Sequence, residues 1–276
     1  MGPVTMPVTT QDDTKIWQRR STRLNLLVWG GWLVAVALFV ACWQLISQVT
    51  MWEFVYDSPT QAGDLGSRMI PPDLGYFPEI WRAVWDTINI ATLGTVLALI
   101  LAVPTAYCAA MNTTPSRKFV RPIALFIIVS SRSINSLIWA LMLVTVVGPG
   151  VFAGIIAIGL RSIGFCAKLL YEAIEEIDEK QVEAVTATGA TQTQAVAYGV
   201  VPQVLPAFAG ISVFRWDINI RESTVLGLVG AGGIGLQLNG SIMNLAWTRV
   251  SLILIVIVAT VIVSEWVSAK IRHAII

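Results

Sequence analysis

Six stretches of this chain, roughly residues 24–49, 84–111, 122–147, 151–171, 204–230 and 249–270, are long and predominantly apolar. A helix rising 1.5 Å per residue needs about 20 apolar residues to cross a 30 Å hydrocarbon core, and each stretch is near or above that length. None alternates with period two, so membrane-spanning strands are excluded and helices remain. Hydrophobic residues make up 55% of the 276 and charged residues 13%, where soluble domains carry about 25% charged. The fold class expected is therefore all-α integral membrane with about six transmembrane helices. Residues 1–23 form a polar N-terminal tail and 24–276 one membrane domain. A net charge of +1 argues against a nucleic-acid partner, whose phosphates require a basic face.

Lysine and arginine positions orient such a bundle. With six spans both termini share a side. That side holds Lys15, Arg19, Arg20, Arg23, Arg117, Lys118, Arg121, Lys180, Lys270 and Arg272, whereas the other holds only Arg68 and Arg82. Both termini are expected in the cytoplasm of a bacterial inner membrane. The first apolar run exceeds the roughly 7–15 residues of a cleaved signal peptide. Phe39-Val40-Ala41-Cys42 only faintly matches a lipoprotein cleavage box. The outer loop 50–83 carries Trp81 and, just beyond it, Trp85, which suit an interfacial helix. Cys42, Cys108 and Cys166 read as core thiols, and the single His273 builds no metal site.

Residues 172–203 are anomalous. Glu172, Glu175, Glu176, Asp178, Glu179, Lys180 and Glu183 crowd a short connection. A run from Glu183 to Gly189, the segment Gln192–Tyr198 and Pro202 follow. The order reads as helix, glycine break, helix and proline restart. An ordinary polar loop is the alternative. The spacing of Glu183, Ala184, Gly189 and Pro202 resembles the EAA loop of ABC importer permeases, although Val185 replaces the second alanine, and Gly199 and Val201 replace the isoleucine and leucine before the proline. The resemblance implies a type I ABC importer permease fold, in which this loop is a coupling helix seated in a separate ATPase.

The stretch Phe214–Gly227, then Val229-Gly230-Ala231-Gly232-Gly233-Ile234-Gly235, together with Arg132–Ala140 and Glu172–Asp178, is similar to the phosphonate-import permeases of that superfamily over roughly residues 75–272. This likeness implies an importer subunit for a phosphonate, phosphite or phosphate ion. The implied partners are a second copy of the chain in C2 symmetry, two ATP-binding subunits and an external solute-binding protein. No cofactor is expected in this chain, with ATP and Mg carried by the ATPase. Gly230-x-Gly232-x-x-Gly235 formally matches a dinucleotide fingerprint, but no βαβ unit or acid about 20 positions on accompanies it. Gly230, Gly232, Gly233 and Gly235 read instead as flexible backbone near the outer face, a candidate gate. The five lysines, at 15, 118, 168, 180 and 270, never follow a glycine, so no P-loop is present and the chain is not expected to be an enzyme.

Ionisable residues at membrane depth cost roughly 2.5–3.5 kcal/mol each on insertion scales and need a reason. Asp217 and Arg221 share a helix face at i,i+4, while Arg215 and Glu222 lie two turns apart on a nearly opposite face. These four can neutralise one another. Arg132 and Arg161 have no acid at i±3 or i±4, and Arg132 sits in a polar island with Ser131 and Asn135. Either they pair across helices with Asp217 or Glu222, or they line a path for a phosphorus oxyanion, which the arginine fork suits. An ion-gradient-driven secondary transporter is the alternative function, but it predicts internal repeats that the halves do not show. A membrane-embedded enzyme would need converging nucleophiles or ligands, which are missing here.

Overall fold

The computed structural model describes residues 8–11, 14–17 and 22–275. It divides into two units, Met1–Asp64 and Leu65–Ile276. In the first, strands β1 (Val8–Gln11) and β2 (Thr14–Trp17) pair antiparallel with Val8 opposite Trp17. The expected tail thus contains a short hairpin, while Arg19 and Arg20 lie outside the described residues. Helix α1 (Thr22–Val49) follows, long and apolar enough to span, with none of that stretch buried. Trp52 then donates from Nε1 to the carbonyl of Ser47 at 3.0 Å, closing the turn into helix α2 (Trp52–Arg68), which occupies much of the expected outer loop.

The second unit is a helical bundle. Helix α3 (Phe77–Ala109) starts seven residues before the expected span, because Pro78 stands in its first turn, where a missing N–H costs nothing. Trp81 and Trp85 therefore lie on α3 itself, both exposed, and not on a separate interfacial helix. A stripe of Ala91, Ala98, Ala102, Ala106 and Ala109 is wholly buried. Spaced by seven, four, four and three residues, whole turns of one helix face, these short side chains let helix α6 (Val151–Glu175) approach closely. These two helices are the centre of the bundle.

The expected span 122–147 is broken. Helices α4 (Val120–Ser133) and α5 (Ser136–Val147) meet at 88°. The cause is the polar island: Asn135 adopts an extended conformation (φ −69°, ψ 147°), and its side chain accepts from the N–H of Leu137, capping α5. Counting the bent pair as one span, six segments of the described residues are long and apolar enough to cross a membrane.

Beyond α6 come the short helices α7 (Glu179–Ala187) and α8 (Gln192–Ala195). Helix does not restart at Pro202 as expected. It runs on from α8 through a π-helical stretch, Val196–Val200, into α9 (Val201–Leu226). The wide turn bonds Val201 N–H to Val196 O, relieving the clash that Pro202 would make with a regular ladder. Helix α10 (Ile234–Met243) fills an interval where no helix was expected, and Ile234 packs with Leu252 and Ile253 of α11 (Trp247–Ile275).

Candidate functional site

Two features converge near the middle of α6. The first is a steric crossing. Ser131 of α4 accepts from Gly164 N–H at 2.9 Å through its hydroxyl oxygen and donates to the carbonyl of Leu160. The hydroxyl thus meets both backbone groups of one rung of the α6 ladder. A side chain on Gly164 would collide with the Ile128 carbonyl, Ser131 Cβ and Arg132 Cγ, so only glycine admits this contact. Arg132 therefore runs over Gly164, one turn beyond Arg161. Arg132 is exposed and has no acidic partner among the described residues. Asn135 caps α5 and does not join it.

The second feature is a charge cluster. Arg161 Nη1 lies 2.8 Å from Glu222 Oε1, and Arg215 Nη2 lies 3.4 Å from both Glu222 oxygens. Arg161 thus takes the cross-helix pairing that the sequence offered as one of its two alternatives. Arg215 is almost fully buried and held from two sides. Its Nε donates to Ser162 Oγ at 2.9 Å, and its guanidinium lies 5.1 Å from the Phe165 ring centroid. Ser162 in turn donates to Asn219 Oδ1 (3.1 Å), and Asn219 Nδ2 donates to Thr95 Oγ1 (2.8 Å), linking α6, α9 and α3. Asp217 and Arg221 pair separately, and Ser264 Oγ of α11 donates to Asp217 Oδ1 at 2.9 Å. Sequence reasoning missed Ser162, Phe165, Asn219, Thr95 and Ser264. The one available signal was Asn219, an amide at i+4 from Arg215.

At one end of the bundle α7 stands outside it. Asp178 caps α7 by accepting from Lys180 N–H at 3.1 Å, and Gln203 Oε1 accepts from Asp178 N–H at 3.0 Å. Val182 packs against Gly199 of the π-helical stretch, while Glu183, Ala184 and Gly189 are exposed. Gly189 has φ +84°, which a side chain would strain. Pro202 is exposed in the first turn of α9. Between α7 and the turn after α3, a cavity of about 430 Å³ is lined by Asn112, Thr113, Glu179, Glu183 and Val200.

At the far end of α9 lies the glycine-rich turn. Gly230, Gly232 and Gly233 have positive φ, but Ala231–Gly235 are buried. Thr87 Oγ1 accepts from Ile234 N–H at 2.8 Å and Gly150 N–H bonds to Gly230 O at 3.0 Å, so the turn is a tied structure in this state.

Comparisons with known proteins agree with this architecture. The chain is 37% identical to the phosphite transport system permease protein PtxC of Stutzerimonas stutzeri over 87% of this chain and 86% of that protein. It is 40% identical to the phosphate-import permease protein PhnE of Mycolicibacterium smegmatis over 75% of this chain and 38% of that longer protein. The fold is similar to that of the MetNI methionine ABC transporter in an inward-facing conformation (TM-score 0.64, 22% identity, 74% of this chain and 99% of that one). Residues 94–273 match the model of the binding-protein-dependent transport system inner membrane component, and the chain belongs to that family of multi-pass ABC importer permeases.

Proposed function

We propose that this chain is the spanning subunit of an ATP-driven importer for a phosphorus oxyanion: phosphonate, phosphite or phosphate. The chain supplies no fuel. Two copies in C2 symmetry enclose one path, two ATP-binding subunits grip α7 from the cytoplasm, and an external solute-binding protein delivers the ion. ATP and Mg act on those partners, and both termini lie in the cytoplasm. The intramembrane charges around Arg132 and Arg161 line the path, and the turn Gly230–Gly235 belongs to the gate.

The observation that carries this reading is α7 itself, a short helix outside the bundle. Its Val182 is held against Gly199 in the π-helical stretch that leads into α9, while Glu183 and Ala184 are exposed beside the bend at Gly189. A push on such a rigid element moves α9 as a body. Relatives named for phosphite and phosphate transport support the substrate class.

The broken span α4–α5 is the one feature that favours an ion-gradient-driven secondary transporter, whose sites use interrupted helices. Uptake by proteoliposomes separates the two. The import reading expects labelled phosphite, methylphosphonate or phosphate to accumulate only with ATP, the ATPase and the binding protein all present. Accumulation driven by a proton or sodium gradient alone would favour the alternative. In the same assay Glu183→Ala and Gly189→Val are expected to lower uptake at least about ten-fold with the bundle intact, since a left-handed side chain costs only about 1–2 kcal/mol. Undiminished ATPase docking and solute-stimulated turnover in both variants would remove the coupling role of α7.

A further inference from the structure

Arg161 is only half used. Nη1 is its sole guanidinium nitrogen with a partner among the described residues, and Nε is buried with none. The edge formed by Nε and Nη2 is the side-on fork that arginine offers to oxyanions. Glu222 does not fill it in this state: one of its oxygens lies against Arg161 Nη1 and both are within reach of Arg215.

We propose that this free edge of Arg161 is the seat where a tetrahedral phosphorus oxyanion pauses midway through the membrane, with Glu222 as the resident counter-ion. The inference rests on the import reading above and names the atoms that meet the cargo. Phosphite and phosphonates carry three oxygens on phosphorus, so two of them can meet the edge that Glu222 leaves without a partner.

Charge points the same way. Arg161, Arg215 and Glu222 together carry one excess positive charge, and the unpaired Arg132 at the same crossing adds another. A monoanion would bring the triad to neutrality, which an excess charge at depth otherwise lacks. Access differs between the two arginines of the triad. The Arg215 side chain is 3% exposed and locked by Ser162 and Phe165, whereas Arg161 and Glu222 are 29% and 20% exposed. An entering ion meets Arg161, backed by a fixed second charge. Glu222 weakens the seat by repulsion, and weak binding is what a transit site requires.

The full assembly of permease, ATPase and binding protein in liposomes tests this. Arg161→Lys keeps the charge and the pairing with Glu222 but removes the fork. A purely structural ion pair would leave uptake of labelled phosphite near normal, whereas the seat predicts a fall of at least about ten-fold. A second measurement needs no variant. Phenylglyoxal modification of Arg161 in the wild-type assembly, read by peptide mass spectrometry, should slow at least about five-fold in millimolar phosphite relative to chloride. Normal uptake by Arg161→Lys, or no protection of Arg161, overturns the seat. Wild-type liposomes that accumulate no phosphite, methylphosphonate or phosphate with ATP would instead sink the import reading, and protection of Arg161 would still decide the seat.

Discussion

Helices α6 and α11 invert the usual equation of apolar with buried. The most apolar stretch of α11 has a mean hydropathy of 2.5 and 22% of its residues buried, whereas that of α6 has 1.6 and 61%. Hydropathy measures what faces lipid. Burial inside the bundle follows side-chain size, since lipid is as apolar as leucine and gives two helices no solvophobic reason to meet. Helix α6 achieves contact with Gly154, Gly159, Gly164, Ala153, Ala157, Ala167 and Ser162, all buried. Helix α11 offers Ile255, Val258, Ile262 and Val263, all exposed, and attaches through Leu252, Ile253 and the buried Ser251, Ser264 and Ser268. The less apolar helix is the one that joins the charge cluster, because close backbones bring its Arg161 within reach of Glu222 on α9.

The largest effect expected from this contrast is at Gly164. In Gly164→Ala the new methyl would lie 2.9 Å from Ser131 Cβ and 2.8 Å from Arg132 Cγ, and would press on the Ile128 carbonyl. The Arg132 stem can swing away, but the carbonyl and Cβ of α4 are fixed by their own helix. The helices must part, breaking the Ser131 bonds, at a cost of roughly 1–3 kcal/mol for overpacking. A thermal melt of the purified protein in detergent should show a drop of several degrees. An unchanged melt would mean that α4 and α6 are not tightly joined, and the contrast with α11 would lose its strongest support.

Much of this was legible in the sequence, for physical reasons that also mark where reading stopped. Long apolar runs announce themselves, so the six spans were visible. The pairing of Asp217 with Arg221 was visible too, because helical geometry puts i and i+4 side by side. Arg161 with Glu222 was not fixed by spacing, since the two stand 61 positions apart on different helices and only the packing of α6 on α9 joins them. The 88° break was announced by a polar island from Ser130 to Ser136, but polarity alone does not tell a pore lining from a cap, and Asn135 proved to be a cap. Helix α10, at 10 residues, is too short to stand out as a span. Glycines read as flexible at 230–235 are tied by Thr87 and Gly150, which lie far away in sequence.

A middle-sized effect belongs to the attachment of α11. Ser264 donates to Asp217, whose side chain is 6% exposed and whose counter-ion Arg221 is half exposed. Ser264→Ala removes one of the few polar ties between α11 and α9 and leaves the carboxylate with fewer donors. A hydrogen bond to a charged group contributes about 1.5–3 kcal/mol, so a loss of about 1.5 kcal/mol is expected in the same melt. Ser264→Thr, which keeps the hydroxyl, should recover most of it. Equal losses for alanine and threonine would assign the effect to packing and not to the bond.

The smallest effect sharpens the comparison most. Ile262 is 61% exposed on α11, and a face of this kind in a single bundle borders lipid. Truncating Ile262→Ala opens no cavity there, because acyl chains fill the space. The expected loss is within about 0.5 kcal/mol, as for surface positions remote from special features. The same substitution at buried Ile158 of α6, which is 0% exposed, should cost several times more. If Ile262→Ala instead approached the Ile158→Ala value in the purified protein, the outer face of α11 would be covered by protein. A second copy of this chain would then be the first candidate, and a loss that grew as the protein was diluted would identify it, since only an association equilibrium depends on concentration.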